Sequence, residues 1–162
     1  DEAELQKVKE SLIAAKPNLL AYDDTTFYTR LVSGEAVMVE AWDGWCNYGI
    51  AENPAIKFVV PKEGSDLWTD TMVILKSSKN KEATHALINY ILDAGTHTWV
   101  AENILYKVPN KPAMEAVGAG LAASYPNMGT TPAELLKGEG LLDLGEAGPT
   151  YTKIATEVTA SN

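Results

Sequence analysis

Residues 35–41 read Glu-Ala-Val-Met-Val-Glu-Ala and run directly into Trp42-Asp43-Gly44-Trp45. An almost continuous apolar run of this kind is the pattern of a strand covered on both faces. Residues 18–22, 56–60 and 69–75 read as further short strands. Between them lie segments of helical spacing, at 1–16 (Leu5, Val8, Leu12 and Ile13 on one face), 26–33 and 43–51. Pro17 ends the first and Gly34 stops the second, while the turn aspartates Asp23 and Asp24 suit the start of the second helix. The order helix, strand, helix, strand, helix, strand predicts α/β layering with a mainly parallel sheet flanked by helices. Beyond residue 75 the spacing predicts helices at 82–92 and 96–102, then an extended stretch at 105–110 held by Pro109. A glycine- and proline-rich remainder carries short helices at 112–117 and 132–137 and a last one at 149–159.

In parallel sheets, ligands bind beyond the carboxyl ends of the strands. Trp42 and Asp43 fall at that position, with Asp43 placed to cap the helix that follows. Trp68-Thr69-Asp70 repeats the pairing of a large ring with a carboxylate. A ring face attracts an organic cation and covers its methylenes, and a carboxylate neutralises its ammonium. The same residues read equally well as core tryptophans beside ordinary turn aspartates. Glu40 shares a strand face with Met38 and Trp42, and reads either as facing the site or as facing solvent at a sheet edge.

The formal charge of −9 disfavours nucleic acid and anionic membranes and favours cationic ligands, although acidic surfaces more often serve solubility. The 46% hydrophobic and 22% charged fractions are those of an ordinary single globular domain. No run approaches the ~20 apolar residues of a membrane span, and the chain opens on no signal-peptide pattern, which leaves its compartment open. Cys46, between Trp45 and Asn47, reads as a small buried hydrophobe. His85 and His97 read as surface residues. G-x-G-x-x-G, P-loop, G-x-S-x-G and H-E-x-x-H patterns are all missing. The expectation is therefore a protein with no catalytic residues, no metal and no cofactor. An enzyme using the Asp43 and Asp70 carboxylates is the runner-up.

Several landmarks occur together: KPNLLAYDD from Lys16, G-E-x-x-x-x-x-A-W-x-G from Gly34, VVPKEGSDLWTDTMVI from Val59, KNKEATHALINYIL from Lys79 and AENILYKVPN from Ala101. In this combination the sequence resembles the C-terminal part of the periplasmic polyamine-binding proteins, the spermidine/putrescine receptors of ABC importers. The resemblance implies a lobe of a type II periplasmic-binding-protein-like fold, with ligand held in a cleft between two lobes. Residues 1–67 and 107–162 would belong to the second lobe, and 68–106 would be a strand–helix piece of the first. Trp42 and Trp68 would line the polyamine methylenes, Asp70 would bind an ammonium, and Tyr106 would be a cleft aromatic. Asp43, Trp45 and Glu40 complete the candidate set. Trp45 stands where the family usually has serine or aspartate, and Leu141 stands where it has a polar residue. Both departures change the ligand shell and open the site to another organic cation, such as a quaternary amine. The implied partners are a polyamine, an ABC permease and the N-terminal half of the receptor, and the location is periplasmic or extracellular, membrane-associated in full-length form. Exposed apolar surface on such a piece also predicts a domain-swapped homodimer.

Overall fold

Leu5, Val8, Leu12 and Ile13 recur at helical spacing, and in the computed structural model, which describes residues 2–161, helix α1 spans Glu2–Ala15. By its contacts the chain divides into two units, Asp1–Phe27 with Leu142–Asn162, and Tyr28–Leu141. In the first unit α1 pairs with the last helix, α8 (Gly148–Ala160). Lys9 Nζ lies 2.5 Å from Glu157 Oε2, and that ion pair holds the Glu157 carboxyl below its usual range. The ammonium of Lys16, in the short 3-10 turn Lys16–Asn18, donates to the carbonyls of Val158 (3.0 Å), Thr159 (3.2 Å) and Ser161. Helix C-termini leave carbonyls without intrahelical partners and carry partial negative charge, so a lysine there satisfies both needs. Asp23 Oδ1 accepts from the backbone N–H groups of Thr25 and Thr26 at 2.9 Å, a turn that leads into α2 (Phe27–Ser33).

The second unit is built around α3 (Asp43–Glu52), α4 (Lys81–Ile91), α5 (Ala94–Ile104) and α6 (Lys111–Ser124). Its core joins Ala101, Val108 and Ala113, with Val100, Met114, Val117 and Leu121 packed around them. Fully buried alanines at 101 and 113 let α5 and α6 approach closely. Asp93 caps α5 by accepting from Gly95 N and Thr96 N, and Asn110 caps α6 by accepting from Ala113 N. Helix α6, with 14 residues, is more than twice the length predicted. Alanines through its second half offset Gly118 and Gly120, each of which costs about 1 kcal/mol against alanine in a helix. A short helix α7 (Pro132–Leu135) starts in a complete capping box between Thr131 and Glu134.

The one sheet among the described residues is a parallel pair, β1 (Asp66–Leu67) and β2 (Glu139–Gly140), in register Asp66 to Glu139 and Leu67 to Gly140. The four predicted strands at 18–22, 35–41, 56–60 and 69–75 are not in ladders. A strand exists only where a second segment lies alongside to take its hydrogen bonds. None does here among the described residues, and Val37 and Met38 are 97% and 86% exposed. His97, read as a surface residue, is buried in α5, whose inward face it shares with Ala101 one turn later. Among the described residues no helix is long and apolar enough to cross a membrane.

Candidate functional site

The site is assembled where α5 ends. Leu105 takes a left-handed backbone (φ 58°) and turns the chain off the helix axis. A helix end leaves carbonyls without intrahelical partners, and consecutive side chains of α3 satisfy two here: Asn47 Nδ2 donates to Leu105 O at 2.8 Å, and the Tyr48 hydroxyl donates to Ile104 O at 2.9 Å. Asn47 is fully buried. A helix-interior asparagine is a poor helix former. Here its value is as the donor that fixes the 105–107 turn against α3.

The turn delivers Tyr106 onto the first turn of α3. A Cβ placed on Gly44 would lie 2.1 Å from the Tyr106 ring, so only a glycine leaves room for it. The next residue, Lys107, places Nζ 3.2 Å from Asp43 Oδ2, with both side chains largely covered. Asp43 is the first residue of α3 rather than its cap, a position held by Trp42. Its Oδ1 accepts the Gly44 N–H at 2.9 Å, and its own carbonyl accepts from Asn127 Nδ2 at 3.5 Å.

Around Tyr106 the structure gathers four of the other candidate residues. Trp68 meets the ring edge-on, with centroids 5.6 Å apart and planes at 68°. Burial chiefly pushes the Tyr106 hydroxyl up to about 12. The Trp45 backbone N–H pulls the other way, and the nearby charges of Asp43 and Asp70 add to the rise. Trp45 thus enters the cluster through its amide. Its ring packs instead against Tyr28 (5.3 Å) and Tyr48 (5.6 Å). Trp42 is 44% exposed at the start of α3. Glu40 and Asp70 are exposed, and no ion pair joins either to another described residue. Leu141, exposed just past β2, donates its N–H to Leu67 O at 3.0 Å, so this position borders the Trp68 segment. Cys46 is buried in α3, and that burial raises its thiol pKa. Among the described residues no cluster of histidine, cysteine and carboxylates has the form of a metal site.

The positions missed from sequence are Gly44 as a seat, Asn47, Tyr48 and Lys107. An asparagine, Asn47, in the middle of a helical segment was the one available signal. Chemically, the cluster offers ring edges and faces with two carboxylates beside them, one already paired with an amine and one open. Such a surface suits an extended cation with an apolar middle.

Residues 2–124 match the family model of bacterial extracellular solute-binding proteins. The chain is 30% identical to spermidine/putrescine-binding periplasmic protein 1 of Haemophilus influenzae, over 99% of this chain and 44% of that protein. It is 29% identical to the spermidine/putrescine-binding periplasmic protein of Escherichia coli, over 99% of this chain and 46% of that protein. The putrescine/agmatine-binding protein of Pseudomonas aeruginosa is 27% identical over 69% of this chain and 32% of its own length. The chain thus spans somewhat less than half the length of these curated relatives, and no solved structure matches it. With the family model covering most of its length, the chain belongs to the bacterial extracellular solute-binding proteins, α/β proteins of the type II periplasmic-binding class.

Proposed function

We propose that this chain is the C-terminal part of the substrate-binding component of an ABC importer, and that it takes a polyamine such as putrescine or spermidine. The observation that carries this reading is the Trp68–Tyr106 ring pair, with the exposed Asp70 carboxylate two residues after Trp68. The relatives named for spermidine and putrescine support the ligand class. Trp42 and Trp68 cover the ligand's methylenes, Asp70 takes an ammonium, and Tyr106 closes the wall between them. Asp43, Trp45 and Glu40 shape its surroundings. The protein does no chemistry: it captures the polyamine outside the cytoplasm, closes its lobes and presents the ligand to a membrane permease.

In the assembled receptor, residues 1–67 and 107–162 belong to one lobe and 68–106 contribute to the other. An N-terminal half would supply the rest of the ligand shell, together with sheet neighbours for the apolar runs. Alone, the exposed runs favour exchange with a second copy. Each ring–cation contact contributes roughly 0.5–2 kcal/mol and a charge-assisted hydrogen bond roughly 1.5–3 kcal/mol, so carboxylate–ammonium pairs dominate.

A tryptophan fluorescence titration with putrescine, spermidine, betaine and a neutral sugar tests the reading. Saturable changes with the polyamines alone are expected, and Asp70→Asn should weaken them about tenfold, more than Trp45→Phe does. A response to betaine alone would reassign the site to quaternary amines. Silence with every ligand, persisting after an N-terminal half is added back, would overturn the receptor reading.

A further inference from the structure

The ring cluster already contains an amine. Lys107 Nζ sits 3.2 Å from Asp43 Oδ2, with the two side chains only 15% and 25% exposed. The other Asp43 oxygen is taken by the Gly44 N–H at 2.9 Å, so both oxygens of this carboxylate are engaged. The lysine has little freedom to leave. Leu105 is held through its carbonyl by Asn47, Tyr106 lies on Gly44, and Lys107 follows directly. Asp70, by contrast, is exposed and makes no ion pair with a described residue.

We infer that Lys107 is a specificity-determining residue: it occupies Asp43 as a tethered ammonium and leaves Asp70 as the open carboxylate of the ring cluster, so that the site favours a diamine over a triamine. This rests on the polyamine reading above and adds to it a limit on ligand charge. A partly buried pair keeps its Coulombic attraction because water screens it poorly. A ligand ammonium reaching for Asp43 must displace Lys107 and leave a like charge beside itself, a cost that rises with each additional ammonium. Asp43 precedes the glycine on which the Tyr106 ring lies, and Asp70 follows two residues after Trp68, whose ring meets that of Tyr106, so the filled and the open acceptor belong to one ring pair.

Calorimetric titration of the wild-type chain, Lys107→Met and Asp43→Asn/Lys107→Met with putrescine and spermidine tests this. Methionine keeps the length and burial of the lysine stem while freeing the Asp43 charge. Lys107→Met should raise spermidine affinity relative to putrescine by about tenfold, the worth of one charge-assisted hydrogen bond. The double variant, with both charges removed, should return close to the wild-type ratio. A lysine that serves only to hold the turn would lower both affinities together and leave the ratio flat, and that result overturns the inference. Should Lys107→Met fail to fold, Asp43→Asn alone decides: an unpaired Lys107 should weaken spermidine more than putrescine, and equal losses overturn the inference. A wild-type chain that binds neither amine, with the N-terminal half added back, overturns the polyamine reading itself, whereas binding with a flat ratio across the variants overturns this inference alone.

Discussion

The seam between α3 and residues 105–107 and the apolar runs at 35–41, 56–60 and 69–75 follow opposite rules. At the seam, the carbonyls of Ile104 and Leu105 have donors, the Tyr106 ring fills the space over Gly44, and the Asp43 charge is neutralised. Along the runs, side chains of strand character stand in solvent, Val37 at 97% and Val73 at 73%. The difference lies in how far each kind of structure must reach for its partners. A helix satisfies its backbone four residues away and its ends with a cap, whereas a strand must borrow a neighbour from elsewhere in the chain. Local closure therefore persists in any stretch that contains whole helices. Sheet closure depends on which other segments are present.

The substitution that should disturb the seam most is Gly44→Ala. Its Cβ would sit 2.1 Å from the Tyr106 ring, so the ring must leave its seat. Overpacking of this kind costs about 3 kcal/mol, to be read as a lower urea midpoint. Gly44→Ala combined with Tyr106→Ala should be no less stable than Tyr106→Ala alone, because the clash has lost its second partner. A Gly44→Ala protein with wild-type stability would show that the ring does not rest there. Next in size is Asn47→Ala, which strips the donor from Leu105 O inside a fully buried position and should cost about 2 kcal/mol. Tyr48→Phe removes the neighbouring bond from a more exposed group and should cost less. If the two losses were equal, burial would not be what makes the Asn47 bond matter.

The same contrast explains what could be read from the chain in advance. Helix positions were legible because the spacing of Leu5, Val8, Leu12 and Ile13 is a local signal. The landmarks from Gly34 to Asn110 carried Trp68, Asp70 and Tyr106 as one set, and the rings of Trp68 and Tyr106 meet in the fold. What joins them was not legible. That Asn47 would reach Leu105, 58 residues away, or that Lys107 would reach Asp43, 64 residues away, depends on a tertiary meeting that no periodicity encodes. The strand readings at 35–41 and 69–75 had the right composition, yet β propensity describes fitness for a pleated, half-buried surface and does not supply that surface. His97 was misread for a related reason: its burial comes from the packing of α5, not from its own polarity.

The smallest expected effect on stability, and the sharpest test of the comparison, is Val37→Lys with Val73→Lys. Both side chains are exposed, so replacing them removes almost no buried apolar area, and each change should fall within about 0.5 kcal/mol in urea unfolding. Their effect should appear instead in association. Exposed apolar runs without ladder partners are templates for pairing with another chain, and a charge at the centre of a run blocks that pairing. Light scattering of the wild-type chain should show species larger than the monomer, reduced by the double lysine variant while the melting curve is unchanged. A loss of stability comparable to Asn47→Ala would mean that the runs are packed in solution. Strand closure would then already be complete within this chain, and the contrast with the α3 seam would disappear.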